Sequence, residues 1–387
     1  MASKESAGVC LYQDHLEDAY KKFCKTVWPK SHGTVHEAPT SSSPAPDGNS
    51  EPHRAGPIFL FLKGDNVVGH VASNPIHVSF GSVVTPAHWI VGFMVLPEYR
   101  NGLVGPLLIK EVNRVLDYAL SLHVEPPVLR ILTGLKWVHK GVLPQYLRIL
   151  NSKELVKNIQ PDGIEAANAR AGIRSLLIRS RFGRAIVEWV GTIGLAIGQK
   201  LWTSCAFMAR PRCTGLSVEE EKGFDDSYTD LWNSVAAQFN AAIVRDRAYL
   251  QARFGRTISR YQLLVCRRDN RLLGYCILKM KRFSGDSRMG NMKVGSIVDC
   301  LFEPASPSIL QSLIDHAFRW FSREGAHVVF CTASLTAVRR ILLRNGFFRI
   351  PGNLNFAYHS RVQILTEEIP LEAWHLMRGD SDTDQNF

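Results

Sequence analysis

Hydrophobic residues fall into short runs separated by turn residues in the first half of the chain, and the same rhythm returns in the second. The stretch PIFLFLKGDNVVGHVASNPIHVSF, beginning at Pro57, places two strand-like runs around a Gly-Asp-Asn turn, a hairpin pattern. AHWIVGFMVLP then reads as a buried strand, being apolar on both faces. In GLVGPLLIKEVNRVLDY, Val104, Leu107, Leu108, Val112, Val115 and Leu116 recur at helical spacing, and Pro106 fits only a first turn. In the second half, Tyr261 to Cys266 and Leu272 to Lys279 flank Arg267-Arg-Asp-Asn-Arg271, and GSIVDCLFEP is a second buried strand. PSILQSLIDHAFRWFSREG follows as an amphipathic helix, AHVVFCTA as a short strand, and LTAVRRILLRNGF as a helix closed by glycine.

Three anchors superpose the halves in the same order. Asp65-Asn66-Val67-Val68-Gly69 matches Asp269-Asn270-Arg271-Leu272-Leu273-Gly274, Gly92 to Pro97 matches Asp299 to Pro304, and Leu135-Lys136-Trp137 matches Asn345-Gly346-Phe347. A duplicated α/β unit is the expectation, with one unit over 1–155, a connector over 156–223 and a second unit over 224–387. Residues 30–56, rich in Pro, Ser and Gly, lack the aliphatic residues to offset chain entropy and read as a flexible insertion.

The segment from Phe93 to Gly105 resembles the signature of the GNAT superfamily of N-acetyltransferases, and the two halves are similar to tandem bacterial-type GNAT proteins. Val95 and Pro97 match the end of that family's central strand, Arg100 opens its pyrophosphate loop, and Gly105 is the last glycine. Leu103 stands where a middle glycine belongs, with Gly102 beside it. The resemblance implies two tandem GNAT-like domains, each a mixed central sheet flanked by helices. It implies acetyl-CoA as acyl donor, held by Met94, Val95, Arg100, Asn101, Gly102, Leu103, Val104 and Gly105, and an amine or amino-sugar acceptor. The physical basis is general: unpaired N–H groups and the positive end of the helix dipole attract phosphate, and glycine permits close approach. A second similarity is the stretch Arg245-Asp-Arg-Ala-Tyr-Leu-Gln-Ala-Arg253, a feature of the second copy in such proteins. That copy has no phosphate cradle, since Ala305 to Leu310 contains neither Arg nor Gly.

Catalytic residues stay unassigned at this level. The family's thiolate-protonating Tyr is replaced by Leu132 and Leu342, and Trp89 occupies the place of a strand carboxylate. His70, His77, His88, His139, Tyr99 and Tyr146 remain as candidates, and a catalytically degenerate protein that binds CoA or a partner without turnover is the alternative. Asp299 and Glu303 either bind a cationic substrate or pair with Arg residues.

Charge and cysteine content adjust this picture only slightly. With 46 Lys+Arg against 35 Asp+Glu, the net charge of +11 favours anionic partners, yet no zinc module or nucleic-acid motif is present. The eight cysteines are scattered, without metal-ligand spacing, and no secretory signal is visible, so a cytoplasmic location is expected. The Arg-rich and apolar segment 170–202 is too short in its uncharged run to span a bilayer, and reads either as packing between domains or as peripheral membrane contact.

Overall fold

A computed structural model describes residues 7–28, 56–158, 215–286, 289–362 and 369–384. The insertion at 30–55 and the segment 170–202 lie outside the described residues. The first half runs β1 (Ala7–Leu11), α1 (Glu17–Val27), β2 (Ile58–Lys63), β3 (Asn66–Phe80), β4 (Val83–Val95), α2 (Val104–Val115), β5 (Tyr118–Leu122), α3 (Pro126–Gly134), β6 (Val138–Val142), β7 (Gln145–Ile149) and α4 (Ser152–Asn158). The second runs β8 (Ser217–Glu221), α5 (Ser227–Val235), β9 (Ala241–Ile243), α6 (Arg247–Phe254), β10 (Gln262–Arg268), β11 (Arg271–Arg282), β12 (Lys293–Phe302), α7 (Pro307–Arg323), β13 (Val328–Thr332), α8 (Thr336–Arg344), β14 (Phe348–Ile350) and β15 (Asn355–Ser360), closing on β16 (Trp374–His375).

These elements form two mixed sheets with helices on both faces, the expected α/β architecture. The first sheet is ordered β1-β2-β3-β4-β5-β15-β6 and the second β8-β10-β11-β12-β13-β7-β14. Each half therefore lends one strand to the other: β15 pairs antiparallel with β5 and β6, and β7 with β13 and β14. The orders become identical once these exchanged strands are equated. Strand β9 adds to the first sheet beside β3, and β16 pairs with β9.

The anchors correspond in backbone detail. Helix α2 lies so close on β3 that a Cβ on Gly69 would come within 2.6 Å of Val104, and one on Gly274 of β11 would come within 2.8 Å of Ile309 in α7. At the end of α3, Lys136 adopts φ +67° while Trp137 N–H donates to Leu132 O at 3.0 Å. At the end of α8, Gly346 adopts φ +77° while Phe347 N–H donates to Leu342 O at 3.1 Å. Both are helix stops with a left-handed residue, and only the second uses the residue that adopts this conformation without cost. Of the first sheet's two faces, one packs α1 through Tyr20 and Phe23, the other α2 through Leu108 and Val112. In the second sheet α5 and α7 take the same opposed places.

Candidate active site

Strands β4 and β5 run parallel and pair only at His88 with Ala119 and Trp89 with Leu120, after which β4 continues to Val95 without them. A fork opens there. On its other edge β4 carries an extra residue against β3: His70 faces Met94 but Ala72 faces Val91, so Gly92 and Phe93 form a bulge, with Gly92 at φ +61°. Such a bulge turns backbone groups out of the ladder, where they can meet a ligand.

Beyond the fork, Pro97–Tyr99 form one tight turn and α2 begins at Val104. Among the described residues, no backbone hydrogen bond is made by the N–H groups of Leu103, Val104 and Gly105, as expected for a helix start. Arg100 Nε donates to Val95 O at 3.0 Å, so its guanidinium braces the loop against the strand end. Leu103 is 72% exposed and Gly102 meets only Tyr99 O, at 3.4 Å from a built Cβ. Gly105 differs from the expectation that it clears space for phosphate. Its Cβ direction points inward, to Phe93 at 3.2 Å and Ile131 at 3.4 Å, so its missing side chain lets the helix settle on the bulge.

The second half has a matching fork with different contents. Strands β12 and β13 pair from Val294–Val328 to Ile297–Cys331, and an extra residue, Val298, bulges from β12 where Ile277 faces Asp299 and Leu278 faces Ile297. Into this opening runs the C-terminal segment. Met377 bridges Ala333 just after β13, Ser334 N–H donates to Leu376 O at 3.0 Å, and a Cβ on Gly379 would lie 3.0 Å from Val298 O. The segment is fixed by charge. Arg245, wholly buried, donates through Nε to Asp299 at 3.2 Å and through Nη2 to both Asp380 oxygens at 2.7 and 2.8 Å. Burial pushes the Asp380 carboxyl above its usual range, against the pull of Arg245. Arg253 adds bonds to Gly379 O at 2.9 Å and to the Asp384 carboxylate.

The Arg245 to Arg253 stretch thus becomes intelligible: both arginines hold the tail, Asp246 caps α6 by accepting from Tyr249 N–H at 2.8 Å, and Leu250 is core. Asp299 is a paired charge, and Glu303 accepts from Ser306 Oγ at 2.5 Å.

The candidate catalytic side chains do not converge. His77 and His139 are exposed, the latter 3.1 Å from Asn355 Oδ1, and Tyr99 lies under the Lys63 ammonium at 5.3 Å. His88 is half-buried at the root of the fork, where desolvation lowers its pKa. Trp89 is core. Tyr146 is buried on β7 in the second sheet, where desolvation raises its pKa. Leu132 and Leu342 are buried at equivalent places in α3 and α8. His70 sits behind the first bulge on the α1 face, fully buried. The partners that sequence reasoning missed are Tyr20, Tyr275 and Asp380, whose positions are set by contacts distant in sequence.

No family model and no curated protein matches the chain. Solved structures do. A probable N-acyltransferase from Enterococcus faecalis is similar over 91% of this chain and 72% of its own, at 11% identity and a TM-score of 0.54. A GCN5-related N-acetyltransferase from Kribbella flavida is similar over 92% and 72%, at 12% identity and a TM-score of 0.53. Saccharomyces cerevisiae N-myristoyltransferase, with bound myristoyl-CoA and inhibitors, is similar over 93% and 82%, at 14% identity and a TM-score of 0.50. The order of elements, the paired forks and these likenesses agree on one statement: the chain has a tandem GNAT-like fold.

Proposed function

We propose that the chain is an acyl-CoA-dependent acyltransferase whose donor lies in the first fork, and that it moves an acetyl group from acetyl-CoA to an amine or amino-sugar acceptor. The contrast between the forks carries this reading. The first has a strand end that parts from its neighbour, a glycine bulge and three N–H groups at a helix start that make no backbone hydrogen bond among the described residues, whereas the second is filled by the chain's own tail. In this reading the N–H groups of Leu103, Val104 and Gly105, with Asn101 and Gly102 beside them, receive the pyrophosphate, and Arg100 supplies positive charge from its braced position. Backbone groups of Phe93, Met94 and Val95 hold the pantetheine arm and polarise the thioester carbonyl. Attack by an amine then forms the amide bond and expels the CoA thiolate. Holding the amine beside an activated thioester supplies much of the rate enhancement, with proton removal left to water. The fold neighbours include a protein crystallised with myristoyl-CoA and inhibitors, which supports an acyl-CoA donor as a class. In this reading the chain works in the cytoplasm, where its scattered cysteines stay reduced.

A non-catalytic CoA-binding protein is the second reading, favoured by Leu132 in place of a proton donor and by the scattered histidines. Calorimetric titration of CoA and acetyl-CoA, combined with thiol release in the presence of an amine panel, separates the two. Binding with release supports the enzyme, binding without release supports the second reading, and no binding rejects both. Leu103→Asp sharpens the titration. The exposed site places a carboxylate where phosphate belongs, so CoA affinity should fall about tenfold or more while thermal stability holds or rises slightly.

A further inference from the structure

His70 is a fully buried histidine on β3 that lies between α1 and the bulge of the first fork. Its Nδ1 lies 2.7 Å from Gly92 O and its Nε2 3.1 Å from the Tyr20 hydroxyl of α1. The ring stacks on Tyr20 at 5.4 Å and meets Trp28 edge-on at 5.6 Å. A carbonyl only accepts, so Nδ1 carries the proton and donates to Gly92 O. With the ring proton on Nδ1, Nε2 presents a lone pair that accepts from the Tyr20 O–H, a phenol that burial keeps protonated with its pKa well above the usual value. One tautomer is thereby fixed from both ends.

The consequence for the bulge follows from peptide planarity. C=O and N–H of a trans peptide point in opposite directions, so a Gly92 oxygen drawn to the α1 face sends the Phe93 N–H to the α2 face. That face carries the helix start, and the Phe93 side chain already packs there against Gly105. Gly92 tolerates this orientation because its φ is +61° and because a Cβ would stand only 3.1 Å from His70 Cε1. The second half repeats the coupling at matching positions. Tyr275 faces Leu301 as His70 faces Met94, and the Tyr275 hydroxyl donates to Asp299 at 2.9 Å, Asp299 standing where Gly92 stands.

We propose that His70, held by Tyr20, is a positioning residue that orients the Gly92–Phe93 peptide so that the Phe93 N–H faces the thioester carbonyl. This rests on the donor occupying the first fork. His70→Phe keeps the ring and removes the donor, and His70→Asn restores an N–H near the position of Nδ1. Acetyl transfer in His70→Phe should fall about tenfold to a hundredfold in kcat, with KM for acetyl-CoA within about threefold, because the interaction strengthens as the oxyanion forms. His70→Asn should recover most of the loss, and Tyr20→Phe should cost less than His70→Phe.

A second measurement needs no turnover. In protein labelled with ¹⁵N-Phe, the Phe93 amide resonance, assigned through Phe93→Leu, should shift or broaden in His70→Phe and return toward the parent position in His70→Asn. An unchanged Phe93 resonance in folded His70→Phe overturns the positioning role whether or not the protein is active. If CoA fails to bind the parent protein, the donor reading falls, while the resonance still decides whether His70 orients the peptide. A loss confined to KM, or an Asn variant as impaired as Phe, also overturns the proposal.

Discussion

Two forks built on one plan have been put to opposite uses. In the first, β4 and β5 separate after Trp89 and Leu120, and an imidazole holds a bulge carbonyl from behind. In the second, β12 and β13 separate after Ile297 and Cys331, and the gap is closed by Met377 to Asp380 on a buried arginine shared by two carboxylates. The residues at matched anchor positions, Gly92 within the first bulge and Asp299 next to the second, account for much of the difference. A glycine exposes its backbone to the fork, whereas an aspartate brings a charge that requires Arg245, and Arg245 brings the tail. A ligand cleft and a structural joint can thus arise from the same supersecondary unit.

The largest expected effect separates the joint from the cleft. Asp380→Ala leaves Arg245 buried with Asp299 alone, and should lower unfolding free energy by about 3–5 kcal/mol in denaturant titration. CoA affinity should be unchanged where the variant stays folded. A fall in affinity without loss of stability would mean that the second fork also serves the donor.

Next in size is the pH response of the joint. His375 is wholly buried against Phe239, and burial, with Arg245 nearby, holds its pKa well below 6.5. Below pH 6.5 the unfolded chain takes up a proton that the folded form refuses, so His375 costs stability as pH falls. His375→Phe should gain on the parent protein below that pH by up to about 1.4 kcal/mol per pH unit. Parallel curves for the two proteins between pH 7 and pH 5 would show that His375 is charged in the folded state. The smallest effect tests the correspondence of the helix stops. Lys136→Gly at φ +67° should stabilise by about 0.5–1 kcal/mol, and Gly346→Lys should cost about as much. Equal and opposite shifts in melting temperature would confirm that the two stops are equivalent.

The hairpins, the central strands and the helices after them were legible because their signals are local: alternation, Asp-Asn turns, helical spacing and a glycine stop. Gly69 and Gly274 were legible as matching anchors, but the close helix approach at each is seen only in the fold. The exchange of β7 and β15 was not legible. Gln145–Ile149 and Asn355–Ser360 pair through backbone groups, which carry no record of which sheet they join. Tyr146 accordingly looked like a candidate for the first site and lies in the second sheet. The stretch from Trp374 to Asp384 offered no local signal, yet Asp380 and Asp384 are buried because Arg245 and Arg253 meet them over a long sequence separation. His70 was visible as a candidate, but its role depends on Tyr20, from a helix whose pattern gave no hint of the contact.

The strand exchange bears on how the molecule comes into being on the ribosome. The first sheet lacks an inner strand until Asn355–Ser360 has been synthesised, so β5 and β6 wait as open edges through most of translation. Closing that gap brings together segments far apart in the chain, which places the slow step late and leaves nascent chains open to pairing with one another. Ribosome-bound intermediates should therefore be the form of this protein that depends most on chaperones, and the finished molecule the one that resists separation into halves.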